Sequence, residues 1–281
     1  MDSDLIPPGV RARLGGLRLA TRRAVGVQGI GLHASRSRGA GLEFAQYRPY
    51  EPGDEPRQID WKLYARSDRF FIREAERESP VSVWILIDAS ASMAERWPAT
   101  RALAACLGEL AMTGGDRFGW VVLAEEGLEL ASPAAGVRQR DRLRRELAAQ
   151  RGSGGFPAPE RLAPVWERIG ARDLVVVLSD MFDPAMVGVA TRLADAGREV
   201  LAIQVLTVAE RDFDFVGGHR FRDPETGEEL LGDADALRAD YLARFAEARA
   251  TLAAELEAHG VRHAAHVLDE TLDAPLRRLF A

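Results

Sequence analysis

The sequence predicts an α/β protein with a doubly wound, mostly parallel sheet. Short apolar runs such as 83–87 end abruptly at polar residues, and their length is typical of strands buried on both faces. Segments with helical apolar spacing separate these runs, and such alternation indicates parallel strands joined by crossover helices. The chain has 281 residues, of which 47% are hydrophobic, so it is long enough to bury a substantial core.

The N-terminal part predicts a separate lobe, with a domain boundary between residues 1–78 and 79–281. An Arg-rich helical pattern covers 9–24, and the Gly- and Ser-rich stretch 26–41 predicts a loop. Turns are then predicted by Pro49, Pro52, Gly53 and Pro56. Residues 70–73 predict a short strand that leads into the larger domain.

The remainder alternates strands and helices. The predicted strands are 83–87, 118–123, 127–131, 173–178, 199–206 and 261–267. The predicted helices are 97–112, 137–150, 159–169, 184–196, 234–259 and 273–280. Only three residues separate the second strand from the third, which predicts an antiparallel pair. The irregular segment 207–232 predicts a small hairpin.

Composition limits the class of protein. The net charge of −6 is too acidic for a nucleic-acid-binding domain, although the N-terminal arm is locally basic. Cys106 is the single cysteine, so no disulfide forms within the chain, and a reducing compartment is indicated. The sequence shows neither the apolar core of a signal peptide nor a stretch of transmembrane length. We therefore expect a cytoplasmic protein without direct membrane insertion.

Acid and hydroxyl side chains follow two of the predicted strands. Asp88, Ser90 and Ser92 come directly after the first strand, and Asp180 follows the strand at 173–178. Because carboxyl ends of neighbouring parallel strands meet at one edge, we expect these groups to converge. Two nearby carboxylates repel each other unless a cation lies between them or one is protonated. Oxygen ligands of this kind suit Mg²⁺.

The Asp-x-Ser-x-Ser pattern resembles the metal-ion-dependent adhesion site of von Willebrand factor A domains. The resemblance implies that Asp180 supplies the acid of the fourth strand. It also implies a Thr after a Gly-Gly pair, where this chain has Phe156, which cannot coordinate a cation. Ser153 is the nearest hydroxyl, displaced by three positions. The implied site is therefore a degenerate one, with Mg²⁺ as the implied cofactor.

A structural interpretation of the same residues remains open. Ser90 or Ser92 would cap the turn into the helix that starts near Trp97, and Asp88 and Asp180 would accept hydrogen bonds from backbone amides at the strand ends.

A second constellation precedes the sheet. It consists of paired charges around an aromatic residue: Arg48, Asp54, Arg57, Asp60, Trp61 and Arg66. Their order is similar to that of the bacterial family known as domain of unknown function 58, and the resemblance covers residues 35 to 280. The charges predict either a rigid, salt-bridged lobe with aromatic anchors or a docking surface for a partner.

The family resemblance implies a non-catalytic protein-binding module that works with a MoxR-type AAA+ ATPase in chaperone-like assembly. A carboxylate of the partner would then complete the cation's shell. Two alternatives remain open. One is a metal-dependent hydrolase in which Asp88 and Asp180 hold Mg²⁺ against a phosphate substrate, and the other is a scaffold with a vestigial metal site.

Overall fold

A computed structural model describes residues 5–19, 43–51, 54, 56, 59–76, 82–223 and 227–281. The chain forms two compact units. Residues 1–28 and 81–281 make up the larger one, which we call the α/β unit, and residues 29–80 make up the small unit.

Helices and strands alternate through most of the described chain. The strands are β1 Glu43–Pro49, β2 Phe71–Glu76, β3 Ser82–Asp88, β4 Arg117–Ala124, β5 Gly127–Ala134, β6 Leu174–Ser179, β7 Glu199–Leu206, β8 Gly218–Arg222, β9 Glu229–Asp233 and β10 Arg262–Val267. The helices are α1 Pro8–Leu14, α2 Trp61–Ser67, α3 Trp97–Gly114, α4 Val137–Ala149, α5 Ala163–Arg168, α6 Pro184–Asp195, α7 Val208–Asp212, α8 Ala234–Ala258 and α9 Asp273–Phe280.

Six strands form the central sheet of the α/β unit, in the order β10-β7-β6-β3-β4-β5. All neighbours are parallel except β4 and β5, which form an antiparallel pair at one edge. The chain enters this sheet at the central strand β3 and continues through β4 and β5 to one edge. It then crosses to the other side of β3 and adds β6, β7 and β10 in turn. This is the doubly wound order in which ligands bind where the winding reverses, between β3 and β6. The predicted fold class is confirmed.

The central strand shows why this sequence forms such a sheet. Alternate residues of β3 enter different layers: Val83, Ile85 and Ile87 belong to the core under α1, α3, α4 and α9. Trp84 and Leu86 belong to the core under α5, α6 and α8, which we call the second core. A strand covered by helices on both faces needs apolar side chains at every position, and this explains the unbroken apolar run.

Helix α1 packs on the α/β unit, with Val10 and Leu14 buried in the core against α3 and α9. Arg13 Nη2 donates to the buried carboxylate of Asp273 at 2.7 Å. The boundary predicted at residue 78 had placed this helix in the N-terminal lobe. In the structure α1 belongs to the larger unit, because its apolar side chains are buried against α3 and α9. The helix also ends at Leu14, before two glycines, and 15–19 are not helical. Residues 20–24 of the predicted helix and the predicted loop 26–41 lie outside the described residues.

The small unit is an antiparallel pair of strands, β1 and β2, with helix α2 between them in sequence. Asp60 is the N-cap of α2, and its Oδ1 accepts hydrogen bonds from the backbone N–H groups of Lys62 and Leu63, both at 3.0 Å. An acidic N-cap of this kind satisfies two of the orphan donors of the first turn.

The segment after β7 contains more structure than the sequence predicted. The hairpin expected within 207–232 is confirmed as β8 and β9. The five-residue helix α7 was not predicted, although Thr207 and Glu210 form a capping box that marks its start. Within the described residues, no helix combines the length and the apolar character needed to cross a membrane.

Candidate functional site

The two strand ends that carry acids lie side by side. β3 pairs with β6 in parallel, with Ile87 opposite Leu178, so the residues after each strand emerge at the same edge. Ser179 Oγ donates a hydrogen bond to Asp88 Oδ2 at 2.6 Å. The convergence that the sequence predicted therefore comes from the register of these two strands.

The loop after β3 is folded around the carboxylate of Asp88. The backbone N–H of Ser90 donates to Asp88 Oδ1 at 2.9 Å, and the hydroxyls of Ser90 and Ser92 lie 3.1 Å apart. Asp88 is only 1% exposed. Neither serine caps helix α3, whose N-cap position is Arg96 with no side-chain capping bond. Ser90 is the N-cap residue of the short turn Ala91–Met93 that precedes α3, but its side chain makes no capping bond there. The capping role expected for the serine side chains is therefore wrong, whereas the backbone bond expected for Asp88 is present.

Asp180 is held in a similar way after β6. Its Oδ1 accepts from the backbone N–H of Phe182 at 3.1 Å, and its backbone carbonyl accepts from Gln204 Nε2 at 3.0 Å. Met181, which lies between Asp180 and Phe182, adopts a left-handed backbone conformation with φ of 60°, and this conformation is costly for a residue with a side chain. Asp180 Oδ2 is buried and accepts no hydrogen bond from the part of the chain that the structure describes. This oxygen is the unsatisfied acceptor of the cluster.

Sequence reasoning missed the cation of this site, Arg96. The guanidinium is 5% exposed, and its Nη1 lies 3.6 Å from Asp180 Oδ2. Nη1 also donates to the backbone carbonyl of Ser92, and Nη2 donates to Glu210 Oε1 on α7. The capping-box residues Thr207 and Glu210 could have marked the start of α7 in the sequence. Nothing in the sequence indicates that Glu210 pairs with Arg96.

Burial and neighbouring charge shift the acidity of Asp88. Removal from water raises the pKa of its carboxyl group, and the charge of Asp180 raises it further. Hydrogen bonds from Ser179 and Ser90 oppose this shift because they stabilise the charged form. The two acids therefore interact electrostatically, as their convergence predicts.

A second loop closes over the first. Ala91 N donates to Gly154 O at 2.7 Å, and Ser153 N donates to Ala89 O at 2.9 Å. Gly152 approaches so closely that a Cβ atom there would lie 2.8 Å from the carbonyl oxygen of Ser90. These contacts fix the backbone of the predicted site from both sides.

Phe156, at the position where the resemblance implies a Thr, packs against the second core. The backbone N–H of Gly155 in the same loop donates to Glu125 Oε2 at 3.0 Å. The loop is therefore held by apolar packing and by an acid from the β4–β5 turn.

The donor set fits a resident Mg²⁺ poorly. The predicted ligands supply two carboxylates and two hydroxyls, and the charge of Arg96 already lies beside one carboxylate. Mg²⁺ stays a prediction from the resemblance.

The predicted lobe residues lie in the small unit and are separate from this cluster in the chain. Asp60, besides capping α2, accepts a hydrogen bond from the hydroxyl of Tyr47 at 2.8 Å, and Asp54 Oδ2 accepts from Glu51 N at 2.9 Å. These acids order local backbone, whereas the salt bridges expected between the acids and arginines of this lobe stay a prediction. Trp61 differs from the expected buried anchor, since it is 59% exposed.

The remaining predicted lobe residues are three arginines. Arg66 lies exposed in the last turn of α2. Arg57 and the side chain of Arg48 lie outside the described residues.

The sheet order defines a Rossmann-type, doubly wound α/β domain with a buried acidic cluster at its carboxyl edge. The chain belongs to the family described as "Protein of unknown function DUF58", whose model matches residues 46–251. It is 27% identical over 276 residues to the uncharacterized protein Rv1480 of Mycobacterium tuberculosis, a match that covers 92% of this chain and 84% of that protein. The uncharacterized protein Mb1516 of Mycobacterium bovis matches with the same values.

Several solved structures are similar at low scores. An aerotolerance-related membrane protein from Bacteroides fragilis has a TM-score of 0.42 and 16% identity, with 70% of this chain and 96% of that chain covered. The protein BatB from Bacteroides thetaiotaomicron has a TM-score of 0.37 and 15% identity, with coverages of 64% and 98%. The SpRpn10 VWA domain has a TM-score of 0.40 and 11% identity, with coverages of 71% and 95%.

Proposed function

We propose that this chain is a non-catalytic protein-binding module that docks its partner at the carboxyl edge of the sheet. The observation that carries this proposal is the position of Phe182, which lies two residues after Asp180 and is 48% exposed. Large aromatic side chains on rigid loops are typical anchors of protein interfaces.

Phe182 is held in place from three directions. Its backbone N–H donates to Asp180 at 3.1 Å, its ring meets that of Phe245 on α8 edge to face at 6.4 Å, and the guanidinium of Arg96 lies over it at 5.8 Å. An anchor that is already ordered loses little conformational entropy on binding.

A groove of about 450 Å³ opens beside this ring, between α6 and α8. Met181, Val187 and Leu252 supply apolar lining, and Arg244 and Glu247 also line it. Apolar side chains next to charged ones are the composition expected where a partner's side chain inserts beside an exposed anchor.

The same geometry argues against the hydrolase alternative. Asp88 and Asp180 are each 1% exposed, so a phosphate substrate could not reach them without opening both loops. Asp183, the further acid nearby in sequence, is the N-cap of α6, and its Oδ1 accepts from Ala185 N at 2.7 Å.

The partner that the family resemblance implies is a MoxR-type AAA+ ATPase acting in chaperone-like assembly, and we propose it as the first candidate. A cytoplasmic location suits such a partner. The buried, unpaired thiol of Cys106 is compatible with a reducing compartment.

The test compares binding of the purified ATPase to the full chain and to two single variants by calorimetry. Phe182→Ala removes the proposed anchor, and we expect its affinity to fall at least about tenfold, as for interface hot spots. Val137→Ala is the matched control, because Val137 is 53% exposed at the start of α4, beyond the opposite end of the sheet.

Equal binding by both variants would move the interface away from this edge, and the exposed Trp61 region would be the next surface to test. Absence of binding by the wild type would remove this ATPase as partner. Turnover of p-nitrophenyl phosphate with Mg²⁺, lost in Asp180→Asn, would replace the proposal with the hydrolase alternative.

A further inference from the structure

A buried guanidinium lies at the strand-end cluster. Arg96 Nη1 is 3.6 Å from Asp180 Oδ2, which is the cluster's acceptor without a hydrogen bond. A divalent cation bound by Asp180 would use this same oxygen. A side chain of this protein therefore already supplies a positive charge beside Asp180, where a cation would otherwise bind.

Three contacts keep Arg96 in this position. It donates to the backbone carbonyl of Ser92 and to the carboxylate of Glu210, and it lies over the ring of Phe182. The planar fork of arginine suits two acceptors at once.

Glu210 is itself fixed, so it cannot easily follow Arg96 to a new position. Its Oε2 accepts from Thr207 N at 2.7 Å, and its backbone N donates to Thr207 Oγ1 at 3.1 Å. A Mg²⁺ ion at Asp180 would meet the repulsion of Arg96 at close range, and displacement of Arg96 would leave Glu210 without its cation.

We propose that Arg96 takes the place of a divalent cation at this strand end, so that the site and docking at the Phe182 edge work without divalent metal. The packing of Phe156 into the second core supports this independently, because that loop then offers no hydroxyl at the position where the adhesion-site pattern requires one. The part of this inference that concerns docking rests on the proposed function, whereas the part that concerns metal does not.

The first test needs no partner. The full chain is titrated with Mn²⁺ and Mg²⁺, and binding is followed by calorimetry and by the thermal unfolding midpoint. We expect no saturable binding by wild type and a midpoint that shifts by less than about 1 °C, since specific ligands raise it with concentration. Saturable Mn²⁺ binding that is lost in Asp180→Asn would overturn the inference.

Three arginine variants sharpen the test. Arg96→Met removes the charge, and we expect a lower midpoint that Mn²⁺ raises by about 3 °C or more, because the acids are then open to a metal. Arg96→Lys keeps a charge and should show a smaller gain or none. Arg262→Met is the matched control. Arg262 Nη2 lies 3.0 Å from Glu199 Oε1 at the start of β7, away from the carboxyl edge of the sheet. This variant should gain no response to Mn²⁺.

If Arg96→Met folds and its unfolding midpoint does not rise with Mn²⁺, this result also contradicts the inference. If Arg96→Met does not fold, the titration of the wild type decides. Docking is then measured with and without EDTA. Equal affinity supports metal-independent docking, and loss in EDTA contradicts it. Absence of docking in both conditions is a failure of the proposed function and leaves the metal result standing.

Discussion

The hydroxyl of Ser179 donates to the carboxylate of Asp88 at 2.6 Å and so joins the ends of two neighbouring parallel strands. The same oxygen accepts from the backbone N–H of Met181 at 2.9 Å. One buried side chain thus satisfies an acid of one loop and stabilises the left-handed turn of the other.

Ser179→Ala should therefore destabilise the fold by about 1–3 kcal/mol, because it leaves a buried carboxylate oxygen and a buried amide without this partner. Urea unfolding measures the change. Ser132→Ala, at an exposed position of β5, is the control and should change stability by less than about 0.5 kcal/mol. Equal effects of the two variants would contradict a structural role for Ser179.

Two glycines of one loop should differ in their tolerance of a methyl group. A Cβ at Gly152 would lie 2.8 Å from both Ser90 O and Ala94 N, whereas a Cβ at Gly155 meets nothing within 4 Å. We expect Gly152→Ala to cost about 1–3 kcal/mol through overpacking, and Gly155→Ala to cost little. Thermal unfolding of both variants measures the two losses. A larger loss in Gly155→Ala than in Gly152→Ala would show that the loop at Gly152 does not contact the loop after β3.

Loss of charge at Glu210 should be costly. Glu210→Gln keeps an oxygen for the capping box but leaves the buried Arg96 without this anion, and we expect a loss of about 1.5–3 kcal/mol. Glu229→Gln in the exposed pair with Arg220 is the matched change, and it should cost under about 1 kcal/mol. Denaturant unfolding at low and high salt distinguishes them, because salt weakens the exposed pair more.

His266 should contribute to the pH dependence of stability. Burial lowers the pKa of its imidazole; Glu270 and Asp269 oppose this shift, and Arg278 adds to it. Because the unfolded chain then binds a proton more readily than the folded chain, the free energy of unfolding should fall as pH drops below about 6.5.

The measurement is urea unfolding of wild type and His266→Gln at pH 7.5 and 5.5. The variant should lose less stability over this interval than wild type does. Identical losses would assign the pH dependence to other groups.

The sheet and the convergence of Asp88 with Asp180 could be predicted, because both depend on local patterns. An apolar run identifies a central strand, and the carboxyl ends of parallel neighbours necessarily share an edge. Arg96 could not be predicted as the cation, since its acceptor Glu210 lies 114 residues away in a helix too short to show periodicity.

Burial of individual aromatic side chains was also beyond local patterns. Trp61 was expected to anchor the lobe, yet its ring packs edge to face against Tyr64 and Phe70 and remains mostly in solvent. Whether an aromatic residue is covered depends on which elements surround it, and sequence spacing alone does not contain that information.

The antiparallel edge strand β5 has a consequence for self-association. A further strand could extend the sheet only along an unbroken row of backbone donors and acceptors. The pairing of β5 with β4 shifts register between Phe118 and Trp120. An irregularity of this kind bends and twists its strand, so it interrupts the template that a second copy would need and opposes strand pairing along this edge.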